Sequence, residues 1–200
     1  HRHYRRQRQM CIRDSIMIMY SGGVESTALV VHALKQEHNI TLIHVIHNNK
    51  SQKEHTACRG TSYKHFGNLP VLAVTIQKNN FDLKYGHQHR DVSIWFAAAM
   101  MIAGRGAWDE VWYGTHNKDN QDKIPNMEKA WDAMMDIIER KTKIISPLRN
   151  KSKLDQYNML TPEVKECIIS CAVIPDGAWN EPCGECMKCQ EFKQLVTNRL

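Results

Sequence analysis

Residues 15–26 read SIMIMYSGGVES, and the fold turns on this stretch. Ser15 to Tyr20 is a short, strongly apolar run, the pattern of a strand buried on both faces. It ends at Ser21-Gly22-Gly23, and Val24 to Glu37 follows with Ala28, Leu29, Val31, Ala33 and Leu34 at helix-compatible spacing. The stretch is therefore a strand, a tight turn and a helix in succession. Gly22 and Gly23 carry no Cβ, so the turn can be sharp and a ligand can come close to the backbone. N–H groups at such a helix N-terminus form a concave anion site, reinforced by the helix dipole. Ser21 and Ser26 add hydroxyl donors, with Val24 and Glu25 in the first turn between them. Gly-Gly could serve the turn alone, but a serine three residues past Gly23 favours a phosphate-binding loop. No Gly-Lys-Ser/Thr follows, which excludes a Walker-type loop, and there is no G-x-G-x-x-G fingerprint.

Outward from this loop the pattern repeats. Thr41 to Ile46 (TLIHVI) reads as a second strand, Ser51 to Phe66 as a polar helix weakened by Gly60 and Thr61, and Pro70 to Ile76 as a third strand. After a loop rich in Asn, Lys, Gly and His, Asp91 caps a helix ending near Gly104. Glu110 to Tyr113 is a fourth strand, Met127 to Arg140 a helix, and Lys143 to Ile145 a fifth strand before Pro147. Strands alternating with helices at this spacing predict an α/β fold, a parallel sheet with helices on both faces. The division expected is a basic tail over 1–14, a nucleotide-binding domain over 15–150 and a C-terminal helical lobe over 151–200.

A chain of 200 residues, 42% hydrophobic and 24% charged, can bury a full core without disulfides. Its longest strongly apolar stretch, Ile94 to Ala103, is half of what a bilayer span of about 20 residues needs. The net charge of +6 is concentrated at one end: Arg2, Arg5, Arg6, Arg8 and Arg13 oppose only Asp14. Without them 22 basic residues face 20 acidic ones, so the body gives no argument for direct nucleic-acid binding. The tail reads as a disordered or non-native segment, with an RNA-contacting arm as the alternative. It lacks the apolar core of a secretory signal, which points to the cytoplasm.

Of seven cysteines, Cys171, Cys183, Cys186 and Cys189 crowd the C-terminus. Without an export signal this pattern reads as metal. Cys183-x-x-Cys186-x-x-Cys189 with one upstream thiol offers the four thiolates of a closed tetrahedral Zn²⁺ site, and Cys167 competes with Cys171 for the first place. An iron–sulfur cluster is the rival, since ferredoxin-type runs also begin C-x-x-C-x-x-C, although the following C-x-x-x-C-P element is missing here. Cys11 and Cys58 read as bystanders. His87, His89 and His116 could suggest a second metal, but in a chain with eleven histidines solvated loop residues are the plainer reading. Asp119 and Asp122 could hold Mg²⁺ or touch substrate, and Arg90 and Lys153 could neutralise phosphate.

Ser21-Gly22-Gly23-Val24-Glu25-Ser26 resembles the pyrophosphate-binding SGGxDS loop of the N-type ATP pyrophosphatases. With Ser170-Cys171 and Pro182-Cys183-Gly184-Glu185-Cys186-Met187-Lys188-Cys189, the chain resembles the 7-cyano-7-deazaguanine synthase family. Arg90 before the alanine-rich helix, Tyr113-Gly114-Thr115-His116-Asn117 and Pro147-Leu148 with Lys153 resemble further elements of that family, so the likeness spans roughly residues 15–195.

The resemblance implies an adenine nucleotide α-hydrolase-like, Rossmann-like fold with a C-terminal zinc knuckle. It implies ATP, Mg²⁺ and Zn²⁺, with Glu25 and Lys153 catalytic and the nucleotide held by Ser21, Gly22, Gly23, Val24, Glu25, Ser26, Arg90 and Gly114. Cys171, Cys183, Cys186 and Cys189 would bind the metal. The implied reaction, in queuosine biosynthesis, is ATP-dependent conversion of 7-carboxy-7-deazaguanine and ammonia to 7-cyano-7-deazaguanine (preQ0), by a homodimer. Two departures stand out. Glu25 replaces the usual Asp, and Asp119-Asn120-Gln121-Asp122-Lys123-Ile124-Pro125-Asn126 replaces a Tyr-Pro-Asp-Cys-Arg segment. The alternatives are a tRNA-thiolating enzyme of the same superfamily with an iron–sulfur cluster, and a non-catalytic nucleotide-binding module.

Overall fold

A computed structural model describes residues 14–46, 49–76, 89–106, 108–119, 123–169 and 183–197. Five strands, β1 (Ser15–Met19), β2 (Asn39–Ile46), β3 (Val71–Thr75), β4 (Glu110–Trp112) and β5 (Lys143–Ile145), form one sheet. All four pairings are parallel and the strand order is β3-β2-β1-β4-β5. The helices are α1 (Val24–Lys35), α2 (Asn49–His65), α3 (His89–Ala103), α4 (Ile124–Ile137), α5 (Lys153–Asn158), α6 (Pro162–Lys165) and α7 (Met187–Val196). The expected α/β architecture, a Rossmann-like parallel sheet flanked by helices, is what the chain adopts.

Strand periodicity divides the core. Along β1, Ile16 and Ile18 point to one face and Met17 to the other, all fully buried. Ile16, Ile18 and Tyr20 pack with Ala28, Leu29 and Ala33 of α1 and with Cys58 of α2. Met17, Ile43 and Val111 pack with Phe96 and Ala99 of α3 and Trp131 and Met135 of α4. Each buried Ile, Leu, Val, Met or Phe among them contributes roughly 1.5–3 kcal/mol. Leu148, Leu160 and Val164 belong to the same cluster as Ile16 and Leu29, so the chain through α6 is built onto the first face.

Some boundaries differ from the expected ones. α3 starts at His89, ahead of Asp91, and α4 starts at Ile124 instead of Met127. α4 carries Pro125 in its first turn, where a missing N–H costs nothing. The basic tail up to Arg13, His87, Asn120, Asp122 and Cys171 lie outside the described residues, as do the side chains of His89 and Arg90. Among the described residues no helix is long and apolar enough to cross a membrane.

Candidate nucleotide and metal sites

The order β3-β2-β1-β4-β5 sends the chain one way from β1 and the other way from β4. At such a reversal the loops leaving the two strands diverge and open a crevice at their carboxyl ends. The loop leaving β1 is Ser21-Gly22-Gly23, and the one leaving β4 contains Gly114. A Cβ on Gly114 would stand 2.9 Å from both Glu25 Cβ and the backbone nitrogen of Ser26. The β4 loop therefore lies against the first turn of α1.

The first loop is held by its own serines. Ser26 Oγ donates to Gly23 O at 3.2 Å and accepts from Ser21 N at 3.3 Å, and the two hydroxyls are 3.2 Å apart. Gly22 sits at φ +80°, in the left-handed region. Its carbonyl accepts from Ile169 N at 2.9 Å, and a Cβ there would be 2.7 Å from Ile169 Cδ1. Gly23 is the N-cap of α1 and no side chain caps the helix. Helix geometry leaves the first-turn N–H groups of Val24, Glu25 and Ser26 without intrahelical acceptors. That is the donor set an anion needs.

Glu25 is the meeting point. Lys153 Nζ is 3.3 Å from Glu25 Oε1, and His116 Nε2 is 3.9 Å from the same oxygen. Lys153 opens α5, whose N-cap Ser152 forms a capping box with Asp155. The two hydrogen bonds from Ser152 hold the Asp155 carboxyl below its ordinary range. His116 Nδ1 accepts from Lys118 N–H at 3.2 Å, so a neutral ring carries its proton on Nε2, on the Glu25 side. The structure thus brings Ser21, Gly22, Gly23, Val24, Glu25, Ser26, Gly114 and Lys153 to one crevice mouth. Arg90 lies in the first turn of α3, with its side chain outside the described set.

Sequence reasoning passed over two residues here. His116, set aside among the loop histidines, faces Glu25. Gln156, fully buried, gives its amide to Thr115 O at 2.8 Å, Leu148 O at 3.3 Å and Lys151 O at 3.5 Å. It ties the β4 loop to the start of α5. A buried glutamine one helical turn beyond Lys153 carries no periodic signal that would have marked it. Asp119 accepts from Thr115 Oγ1 at 3.0 Å, which closes the same loop.

The sulfur atoms of Cys183, Cys186 and Cys189 all lie within 4.8 Å of one another, and those of Cys183 and Cys189 are 3.9 Å apart. Around one tetrahedral ion with bonds of about 2.3 Å, sulfurs sit roughly 3.8 Å apart, so the trio could hold a metal. Cys186 N–H points at Cys183 Sγ at 3.4 Å, and Cys186 is the N-cap of α7, whose dipole favours thiolate. Cys171 falls outside the described residues. Cys167, its rival, is not part of the trio: its sulfur lies 3.4 Å from His65 Nε2. Cys58 is fully buried 3.7 Å from His44 Nδ1, and burial pushes its thiol well up.

No family model and no curated protein matches the sequence. Among solved structures, the chain is similar to the predicted subunit of tRNA methyltransferase from Methanocaldococcus jannaschii. The TM-score there is 0.42 at 12% identity, covering 73% of this chain and 74% of that one. It is also similar to the U34-tRNA thiolase NcsA from Methanococcus maripaludis with its [4Fe-4S] cluster. That match has a TM-score of 0.47 at 15% identity, over 94% of this chain and 68% of that one.

Proposed function

We propose that this chain is an ATP-dependent ligase that activates a carboxylate as its adenylate, with 7-carboxy-7-deazaguanine as acceptor and ammonia as nitrogen source. The observation that carries the reading is the convergence of loop 21–26, Gly114 and Lys153 on Glu25 at the switch point. The acceptor carboxylate attacks the α-phosphorus of ATP, forming an acyl-adenylate and breaking the bond to pyrophosphate. Ammonia then adds to the acyl carbon, loses a proton and expels AMP, leaving an amide. The amide oxygen attacks the α-phosphorus of a second ATP, pyrophosphate leaves and one N–H proton is lost; expulsion of AMP with loss of the second N–H proton then gives the nitrile. The N–H groups of Val24 to Ser26 and the Ser21 and Ser26 hydroxyls would take the departing pyrophosphate, with Lys153 supplying a cation beside it. Glu25 is the carboxylate suited to Mg²⁺, which would accompany the nucleotide.

The close grouping of the three cysteine sulfurs supports zinc, because irons at the corners of a cubane spread their thiolates wider than one tetrahedral ion does. A closed four-thiolate zinc site is structural and leaves the chemistry to the loop. The test is AMP release from ATP, Mg²⁺ and ammonium, with and without the acid. The expected result is AMP only with the acid, and a product that has lost two oxygens and one hydrogen and gained one nitrogen. Folded, metal-loaded protein that ignores the acid would sink the assignment. Tight visible absorbance with bound iron would redirect it to the thiolating reading, which shares the adenylation step.

A further inference from the structure

Glu191 lies outside every motif read from the sequence, yet its Oε2 stands 3.7 Å from Lys153 Nζ. Lys153 is thus shared between Glu25 and Glu191. This placement needs explaining, because Lys153 is the first residue of α5, where the helix dipole repels a cation. Two flanking carboxylates offset that repulsion. Glu191 belongs to α7, the helix that begins at the thiolates: Cys186 is its N-cap and Cys189 lies two residues before Glu191. The next residue, Phe192, meets Tyr157 edge to face with ring centroids 5.8 Å apart. Tyr157 is one turn beyond Lys153 on α5, so two contacts join the helices at neighbouring positions. Lys193 Nζ donates to Gly184 O at 2.9 Å and Gln190 Nε2 to Glu185 O at 3.0 Å, folding the cysteine loop back on α7.

We infer that Glu191 is a positioning residue for the nucleotide site. It holds the Lys153 ammonium at the mouth of loop 21–26, and metal loading of the thiolates fixes Glu191 in turn. Without it, Lys153 keeps only Glu25 as a partner and its ammonium spends more time in solvent, away from the loop. The inference rests on reading that loop as the ATP site.

Two measurements on the full, metal-loaded chain test it. The first is the rate at which acetic anhydride acylates Lys153, followed by peptide mass spectrometry. Labelling is expected to accelerate in Glu191→Gln, and in the unaltered chain after chelation, with no further acceleration when the variant is chelated. The second is equilibrium binding of a non-hydrolysable ATP analogue with Mg²⁺. Affinity is expected to fall about three- to fivefold in Glu191→Gln, the scale of a partly exposed ion pair, with partial recovery in Glu191→Asp. In a Lys153→Gln background, residue 191 is expected to make no difference. Binding by the unaltered chain with equal labelling and equal affinity in Glu191→Gln overturns the inference alone. No nucleotide binding by the unaltered chain, with labelling still dependent on Glu191, overturns the ATP reading and the inference with it.

Discussion

Replacing Gly22 by alanine asks residue 22 to keep φ near +80° with a Cβ 2.7 Å from Ile169 Cδ1 and 3.1 Å from Cys58 Sγ. The strain and the clash act together, and the expected cost is about 1–3 kcal/mol in urea denaturation. Gly114→Ala differs in kind. Its Cβ meets the backbone nitrogen of Ser26, which has no side chain to move aside. The β4 loop must back away from α1, so the affinity for an ATP analogue is expected to fall on the order of tenfold or more, with a smaller change in stability. Equal affinity in Gly114→Ala would show that the crevice does not hold the nucleotide. Gly22 was legible from its neighbours, because a strand, a glycine pair and a helix are a local pattern. Gly114 was reachable only through a family likeness, and the partnership of Glu25 with Lys153 and His116 through nothing local at all.

At the scale of elements, the strands read well because parallel strands covered on both faces must be apolar throughout, as Ile16, Met17 and Ile18 are. Helix ends read less well. α4 begins three residues ahead of the expected Met127, and its first turn accommodates Pro125, which has no N–H there to leave unpaired. The ties between elements were invisible, being single polar side chains buried among carbonyls. Gln156 links the β4 loop, the β5 exit and α5, and His44 spans Tyr20 O at 2.8 Å and Ser51 O at 3.0 Å to join the β1 exit to α2. Gln156→Leu keeps the volume and removes the donor, leaving the buried Thr115 carbonyl unpaired at a cost of about 1–3 kcal/mol. Denaturation should register that loss, and nucleotide affinity should fall with it, since the loop carrying Gly114 and His116 loses its anchor. A stable Gln156→Leu variant with unaltered affinity would show that the loop needs no such tie.

For the molecule as a whole, buried titratable groups fix the pH range of stability. Burial raises the Cys58 thiol well above its ordinary 9.0, and Tyr20 is pushed up from 10.0 for the same reason. Both therefore contribute stability that is full below those values and declines as pH rises beyond 9.0. His55 and His32 are depressed from 6.5, first by burial and then by neighbouring cations, Arg59 for His55 and His38 for His32. Their contribution is full above 6.5 and declines as pH falls below it. The urea midpoint should accordingly be flat between about pH 6.5 and 9.0 and fall on either side; a midpoint that rises through pH 10 would contradict this account. Chelation should act on another region. Neither core cluster contains a described residue beyond Ile169, whereas the thiolate trio lies wholly within 183–189. Hydrogen exchange after metal removal is expected to rise across 183–197 and to stay slow in β1 and β2.

The central place of β1 in the sheet also sets an order of events during synthesis. The glycine loop is made at residues 21–26, yet the glycine that lies against it is residue 114 and the lysine paired with Glu25 is residue 153. A growing chain therefore carries only one side of this contact until residue 153 has been added. If the loop holds nucleotide as proposed, chains cut short of residue 153 lack its lysine, and stabilisation by ligand is reserved for chains extended through α5.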